Sequence, residues 1–218
     1  MMAGVKSAVL FWSAFVFVMA GFSARAEVVV DNIDGVRSLY KTINPWDLGA
    51  SETAAQSFSL GEGLSYRLSS VTVPMIFNGG AENTVTVSIW DSRSLPPSAN
   101  QPGLPAPSQM VALIGSRTFS GNTAFESYEN FTDFGDVTLS GRGYWLVVEQ
   151  SRTDLNTIYW PTVNRHTTFP YKQTGTGGLG YYGHGVPGTD AWYDSDPPSV
   201  VGLMAIEGTV VAAVPVCV

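Results

Sequence analysis

From Leu68 to Phe77 the chain alternates strictly: Val71, Val73, Met75 and Phe77 fall on one face, and Ser70, Thr72 and Pro74 fall on the other. A period of two belongs to a β-strand with one buried face and cannot be laid on a helix, whose faces repeat every 3.6 residues. Asn83 to Asp91 repeats the pattern, with Val85, Val87 and Ile89 inward and Thr84, Thr86 and Ser88 outward. Between the two runs stands Asn78-Gly79-Gly80, whose residues accept positive φ, so the two strands are expected to form a hairpin. Pro74 has no N–H to give to a ladder, which predicts an edge position or a bulge there.

The remainder of the chain reads the same way. Tyr144-Trp145-Leu146-Val147-Val148 is an unbroken apolar run, the mark of a strand buried on both faces, and it is the expected centre of the core. Further strands are expected at Met110–Phe119, Phe131–Leu139 and Thr157–Trp160, and within Val200–Ala212. Pro96, Pro97, Pro102, Pro105 and Pro107 predict an extended, polyproline-like loop over residues 92–109. Seven Gly among the 14 positions of 175–188 predict another loop. One helical turn or two is expected near Asp47 to Gln56, capped by Asp47 or Ser51. The fold class that follows is all-β, an antiparallel β-sandwich or jelly roll of roughly nine or ten strands.

Composition excludes the other classes. With 44% hydrophobic residues the chain can offset the entropy of ordering, unlike a disordered segment, and 23 Gly with 13 Pro argue against a helical bundle. A single cysteine, Cys217, rules out a disulfide scaffold. Lys6, the apolar run Val9–Phe22 and Ala24-Arg25-Ala26 form the three regions of a signal peptide, predicting export with cleavage after Ala26. The 14-residue apolar run is shorter than the roughly 20 residues a bilayer span needs, and no later segment spans either. Cleavage removes Lys6 and Arg25 and no acidic residue, taking the net charge from −7 to −9. Such a chain repels nucleic acid. Residues 27–212 are expected to form one β-sandwich domain, with 213–218 a short C-terminal remnant.

A set of local patterns occurs in one order: Asp31-Asn32, Gln56-Ser57-Phe58, Leu68-Ser69-Ser70-Val71-Thr72-Val73, Val85-Thr86-Val87-Ser88-Ile89-Trp90-Asp91, Pro102-Gly103-Leu104, then Val137-Thr138-Leu139-Ser140 through Gly143-Tyr144-Trp145-Leu146-Val147-Val148. In this order the chain resembles the choice-of-anchor β-sandwich domains, R type, of bacterial exported proteins. The resemblance covers roughly residues 30–212 and implies a small jelly roll followed by a sorting tail of the PEP-CTERM kind. Such a tail opens with Val-Pro-Glu-Pro, whereas here Val214-Pro215 is followed by Val216-Cys217-Val218, so the expected tail is missing. The family brings no catalytic residues to transfer.

Motifs of chemistry are sparse. Gly175-Thr176-Gly177-Gly178-Leu179-Gly180 satisfies G-x-G-x-x-G, but a dinucleotide site needs a helix immediately after it, and Tyr181-Tyr182-Gly183-His184-Gly185-Val186-Pro187 does not start one. The only histidines are His166 and His184, and neither H-E-x-x-H nor G-x-S-x-G is present, so no catalytic residue is assigned. The acidic residues form two clusters, Glu126, Glu129, Asp133 and Asp136, and Asp190, Asp194 and Asp196, which read first as solvated loop charge and otherwise as calcium ligands or as the paired acids of a hydrolase. Asp31, Asn32 and Asp34, together with Asp190, Asp194 and Asp196, are candidate oxygen ligands for a structural calcium, the one cofactor considered. Trp90, on the Ser/Thr face of its strand, and Tyr181, Tyr182, Trp192 and Tyr193, in a Gly-rich region, are candidate sugar-stacking aromatics, against the favoured alternative that Trp90 packs under the proline-rich loop and the tyrosines cover the end of the sandwich. Three functional expectations result. The first is a non-catalytic, structural or adhesive protein of the cell surface or extracellular matrix, with polysaccharide as partner. The second is a carbohydrate-binding module, and the third a secreted glycan or ester hydrolase.

Overall fold

The computed structural model describes residues 25–33, 45–47, 53–94, 105–141, 143–151, 158–164, 173–185, 192–194 and 200–211. Residues 1–24 of the predicted signal peptide and the C-terminal remnant with Cys217 lie outside the described residues. The strands follow in the order β1 (Glu27–Asp31), β2 (Pro45–Asp47), β3 (Thr53–Ser59), β4 (Ser65–Phe77), β5 (Gly80–Ser94), β6 (Pro105–Gly121), β7 (Phe125–Phe131), β8 (Thr138–Ser140), β9 (Gly143–Gln150), β10 (Ile158–Asn164), β11 (Gly178–Gly185), β12 (Trp192–Asp194), β13 (Val200–Gly202) and β14 (Ala205–Val211). There is no helix among the described residues.

Two antiparallel sheets pack face to face, as an all-β sandwich requires. One runs β1-β14-β4-β10-β13, with β2 also on β10 and with β7 and β8 also on β4; the other runs β12-β11-β3-β9-β5-β6. Val71, Val73, Met75 and Phe77 from the first sheet meet Val85, Val87, Ile89, Leu146 and Val148 from the second in one continuous apolar core. The inward residues are those picked out by the alternation in the sequence. Side chains buried at this level contribute about 1.5–3 kcal/mol each, and the core needs no disulfide to hold it. Trp145, Leu146, Val147 and Val148 are all fully buried, because β9 lies between β3 and β5 and a second cluster of Ala55, Ala106, Trp145 and Val147 covers its outer face.

The expected hairpin between β4 and β5 does not form. β4 pairs with β14, β7, β8 and β10, while β5 pairs with β6 and β9, so Asn78-Gly79 carries the chain from one sheet across to the other. Gly79, at φ 83°, makes the required turn. A period of two states which face of a strand is buried, and that requirement is met equally by two strands side by side and by two strands facing each other. Pro74 likewise sits in an interior strand. Its missing donor is tolerated because β14 leaves the edge of β4 at Thr72 and β10 joins it at Ile76, so residues 73–75 have no ladder partner on that side.

The proline-rich segment is also partly strand. Ser94 pairs with Pro105 and Ser92 with Pro107, so β5 and β6 run on together through both ends of what reads as a loop, with residues 95–104 outside the described residues. β6 is the edge of its sheet and carries several register shifts against β5, the two settings in which a strand accommodates proline. The strand expected at Phe131–Leu139 is instead the end of β7 and the start of β8, separated by residues 132–137. The helical turn expected near Asp47–Gln56 is replaced at both ends by strand, β2 ending at Asp47 and β3 holding Gln56, with 48–52 outside the described residues. The fourteen strands exceed the expected nine or ten because several have only three residues, too few to show an alternation.

Of the glycine-rich loop expected over 175–188, Gly178 to Gly185 form strand β11, paired with β3 on one side and β12 on the other, and 186–188 lie outside the described residues. Glycine here permits close approach of backbones. The Gly177 N–H donates to Val29 O at 2.7 Å, and a Cβ on Gly177 would overlap the carbonyl oxygens of Ser59 and Val29. Neither obstacle is a movable side chain tip. Gly177→Ala is therefore expected to lower stability by about 1–3 kcal/mol, read as a reduced urea midpoint at unchanged slope; a midpoint equal to that of the parent chain would refute the close approach.

Candidate functional site

The aromatic candidates all lie on the six-stranded sheet, in two separate places. Tyr181 and Tyr182 belong to β11, and Trp192 and Tyr193 belong to the edge strand β12, where Tyr193 is in register with His184 and Trp192 with Gly185. Trp90 is on β5, three strand spacings from β11 or roughly 14 Å. It stands in register with Trp145 and packs, half-buried, on Ala55, Ala106, Trp145 and Val147. Its indole N–H donates to Ser88 Oγ at 2.9 Å. Trp90 thus packs beneath the proline-rich segment, through Ala106, as the packing alternative expected, rather than standing free on the Ser/Thr face.

The calcium candidates divide similarly. Asp34, Asp190 and Asp196 lie outside the described residues, and Asp194 is described only by its backbone, in register with Gly183. One oxygen of Asp31 accepts the Ile33 N–H at 2.8 Å. Asn32 is buried and both ends of its amide are used: Nδ2 donates to Gly202 O at 2.9 Å, and Oδ1 accepts the Met204 N–H at 2.7 Å. The Gly202 N–H donates in turn to Gln56 Oε1 at 2.9 Å, which joins β13 of one sheet to β3 of the other. Asn32 and Gln56 therefore hold a buried polar seam between the sheets. Among the described residues, no three His, Cys, Asp or Glu side chains come together as a metal-binding group.

The other acidic residues are spread along the outside. Glu129 pairs with Arg117 at 3.2 Å, and Asp136 with Arg67 at 3.0 Å. Arg117 also lies 4.4 Å above the Phe131 ring and donates to Asn130 O, tying β6 of one sheet to β7 of the other along the side of the sandwich. Tyr128, beside these groups, has its phenol pushed above the usual value, first by burial and then by the Glu126 carboxylate. His184 lies on β11, and His166 is outside the described residues. The G-x-G-x-x-G stretch bends into β11, a strand, so no helix N-terminus follows it.

One feature had no counterpart among the sequence candidates. A cleft of about 600 Å³ opens where β5, β6, β8 and β9 converge, lined by Asp91, Ser92, Val111, Ser140, Gly143 and Tyr144. Tyr144 forms a fixed wall, because its hydroxyl accepts the Ser140 N–H and donates to Ser140 O, each at 3.0 Å, in the manner of a tyrosine corner. Asp91 is in register with Tyr144 and accepts the Gln109 N–H through Oδ1 at 2.7 Å. Ser92 Oγ accepts the Trp145 indole N–H at 3.3 Å, and Val111, on the edge strand, is nearly half exposed at the lip. The signal available in the sequence was Asp91 itself, a carboxylate that closes an alternating run of inward Val85, Val87 and Ile89. Its neighbours in the cleft come from three other strands and carry no mark of their own. No protein-family model matches the chain, and comparison with curated proteins and with solved structures finds no match.

Proposed function

We propose that this protein is a non-catalytic, exported β-sandwich of the cell surface or extracellular matrix with a structural or adhesive role, of the kind that the choice-of-anchor domains it resembles represent. The observation that carries the reading is the start of β1. Glu27, the first residue after the predicted cleavage point, is also the first residue of the sheet and pairs with Gly208, whereas Arg25 and Ala26 are exposed and outside it. A signal peptidase needs an accessible segment, and the exposure of Arg25 and Ala26 supports that reading. The acidic balance of the chain and the absence of a catalytic motif fit the same role.

Expression of the full chain in a bacterium, followed by fractionation and mass measurement, tests it. The expected product begins at Glu27 and is recovered outside the cytoplasm. Uncleaved chain confined to the cytosol would overturn the proposal.

A further inference from the structure

We propose that the cleft at the Asp91 end of the sandwich binds a neutral saccharide. The inference rests on the exported reading only for where such a ligand would be met; the cleft itself argues from its own chemistry.

Asp91 is the residue that needs explaining. Its register partner is Tyr144, so it continues the row of Val85, Val87 and Ile89 along β5 and ends that apolar row with a partly exposed carboxylate in the cleft. Among the described residues its partner is the Gln109 N–H on Oδ1, and no cation pairs with it. The second oxygen is left to accept hydrogen bonds inside the cleft. Two serines line the same space, Ser92 and Ser140, and Ser140 spends only its backbone groups on Tyr144, which leaves its hydroxyl to donate or accept.

The remaining walls are apolar and fixed. Tyr144 is held by its two hydrogen bonds and by its ring contact with Phe58 at 5.9 Å, and Val111 contributes an exposed aliphatic face. A ligand suited to this lining presents several hydroxyl donors to one carboxylate, exchanges hydrogen bonds with two hydroxyls and lays C–H surface on an aromatic edge and a valine. That combination is the surface of a pyranose. The volume lies within the usual range of small-ligand clefts, roughly 300–1,000 Å³. Asp91 is the one carboxylate among the described lining residues, which disfavours an acidic sugar and is too few for a divalent cation, which takes at least about six oxygens.

The test is calorimetric titration of the chain, as recovered from the expressing cell, with cellohexaose, maltohexaose, mannohexaose and chitohexaose, with an alginate hexamer as the acidic comparison and a lysine tripeptide as the amine comparison. At least one neutral hexasaccharide is expected to bind. Asp91→Asn, which keeps an acceptor for Gln109, should weaken that binding about tenfold or more, and Ser140→Ala about threefold, with unchanged circular dichroism. Trp90→Ala should leave the affinity within about twofold, separating this cleft from the Trp90 ring, which packs in the other apolar cluster of the sheet. Absence of binding by all four neutral sugars at millimolar concentration, tighter binding of alginate or the lysine peptide, or affinity indifferent to both cleft variants would each overturn the proposal. Because binding is read on purified protein, its failure is distinct from a failure of export.

Discussion

Replacing Trp160 by alanine is expected to destabilise the protein by about 3–5 kcal/mol, the usual range for removing a large aromatic from a core. Trp160 is fully buried at the point where β10 holds β2 and β13, and a Cβ placed on Gly202 would come within 2.7 Å of its ring, so the ring fills the corner without slack. Its indole N–H donates to Leu203 O at 2.8 Å, and truncation leaves that buried carbonyl without this donor. For a chain of this size each kcal/mol moves the melting temperature by roughly 2–4 °C, so a fall of roughly 6–20 °C is expected in calorimetry. Trp160→Phe keeps most of the volume and removes the donor, and should lose about 1–3 kcal/mol. A Trp160→Ala variant melting within 2 °C of the parent, roughly the effect of 1 kcal/mol or less, would show that the corner is not packed as described.

The second large effect belongs to Asn32. Asn32→Ala removes both hydrogen bonds that the amide makes and strands two buried backbone groups, Gly202 O and Met204 N–H, within a structure that admits little water there. At about 1–3 kcal/mol for each unsatisfied buried group, the expected loss is about 2–6 kcal/mol in urea unfolding. Asn32→Asp should fare little better, since it keeps the acceptor for Met204 but sets a carboxylate oxygen against the Gly202 carbonyl. The same experiment separates this role from calcium ligation. If Asn32 acts through the backbone alone, the difference between variant and parent is the same with and without chelator; if it acts through a cation, chelator destabilises the parent and narrows the gap. A loss below 0.5 kcal/mol, the range of an ordinary surface substitution, would rule the buried seam out as a source of stability.

Much of the core was legible residue by residue. Val71, Val73, Met75 and Phe77, and Val85, Val87 and Ile89, are buried as their alternation requires, and the apolar run in β9 is buried on both faces. What failed to show in the sequence were features with a non-local cause. The glycines of 175–185 read as loop because glycine is poor at specifying a strand, yet Gly177 and the residues after it follow Val29 and β3, and the need for close approach is visible only from those neighbours. The prolines of 105–107 read as loop because proline cannot serve a two-sided ladder, and they are tolerated because β6 happens to be an edge. Asn32 reads as a polar residue near an acidic one, and nothing local announces that its two partners lie at 202 and 204.

The cleft is the sharpest case. Asp91 is dozens of residues away from Ser140 and Tyr144, and the three come from strands of two different sheets, so no spacing rule links the carboxylate to the other two. The sequence by itself determined the fold class and the inward faces of β4 and β5, because both follow from a two-residue period that the residues of those runs report locally. Only the tertiary structure decided which strands are neighbours, that Asn78-Gly79 crosses between sheets, and where a carboxylate, two hydroxyls and a fixed tyrosine ring meet. The reason is that pairing is selected by the sum of contacts over the whole sandwich, and the same alternating strand satisfies its own burial in more than one partnership.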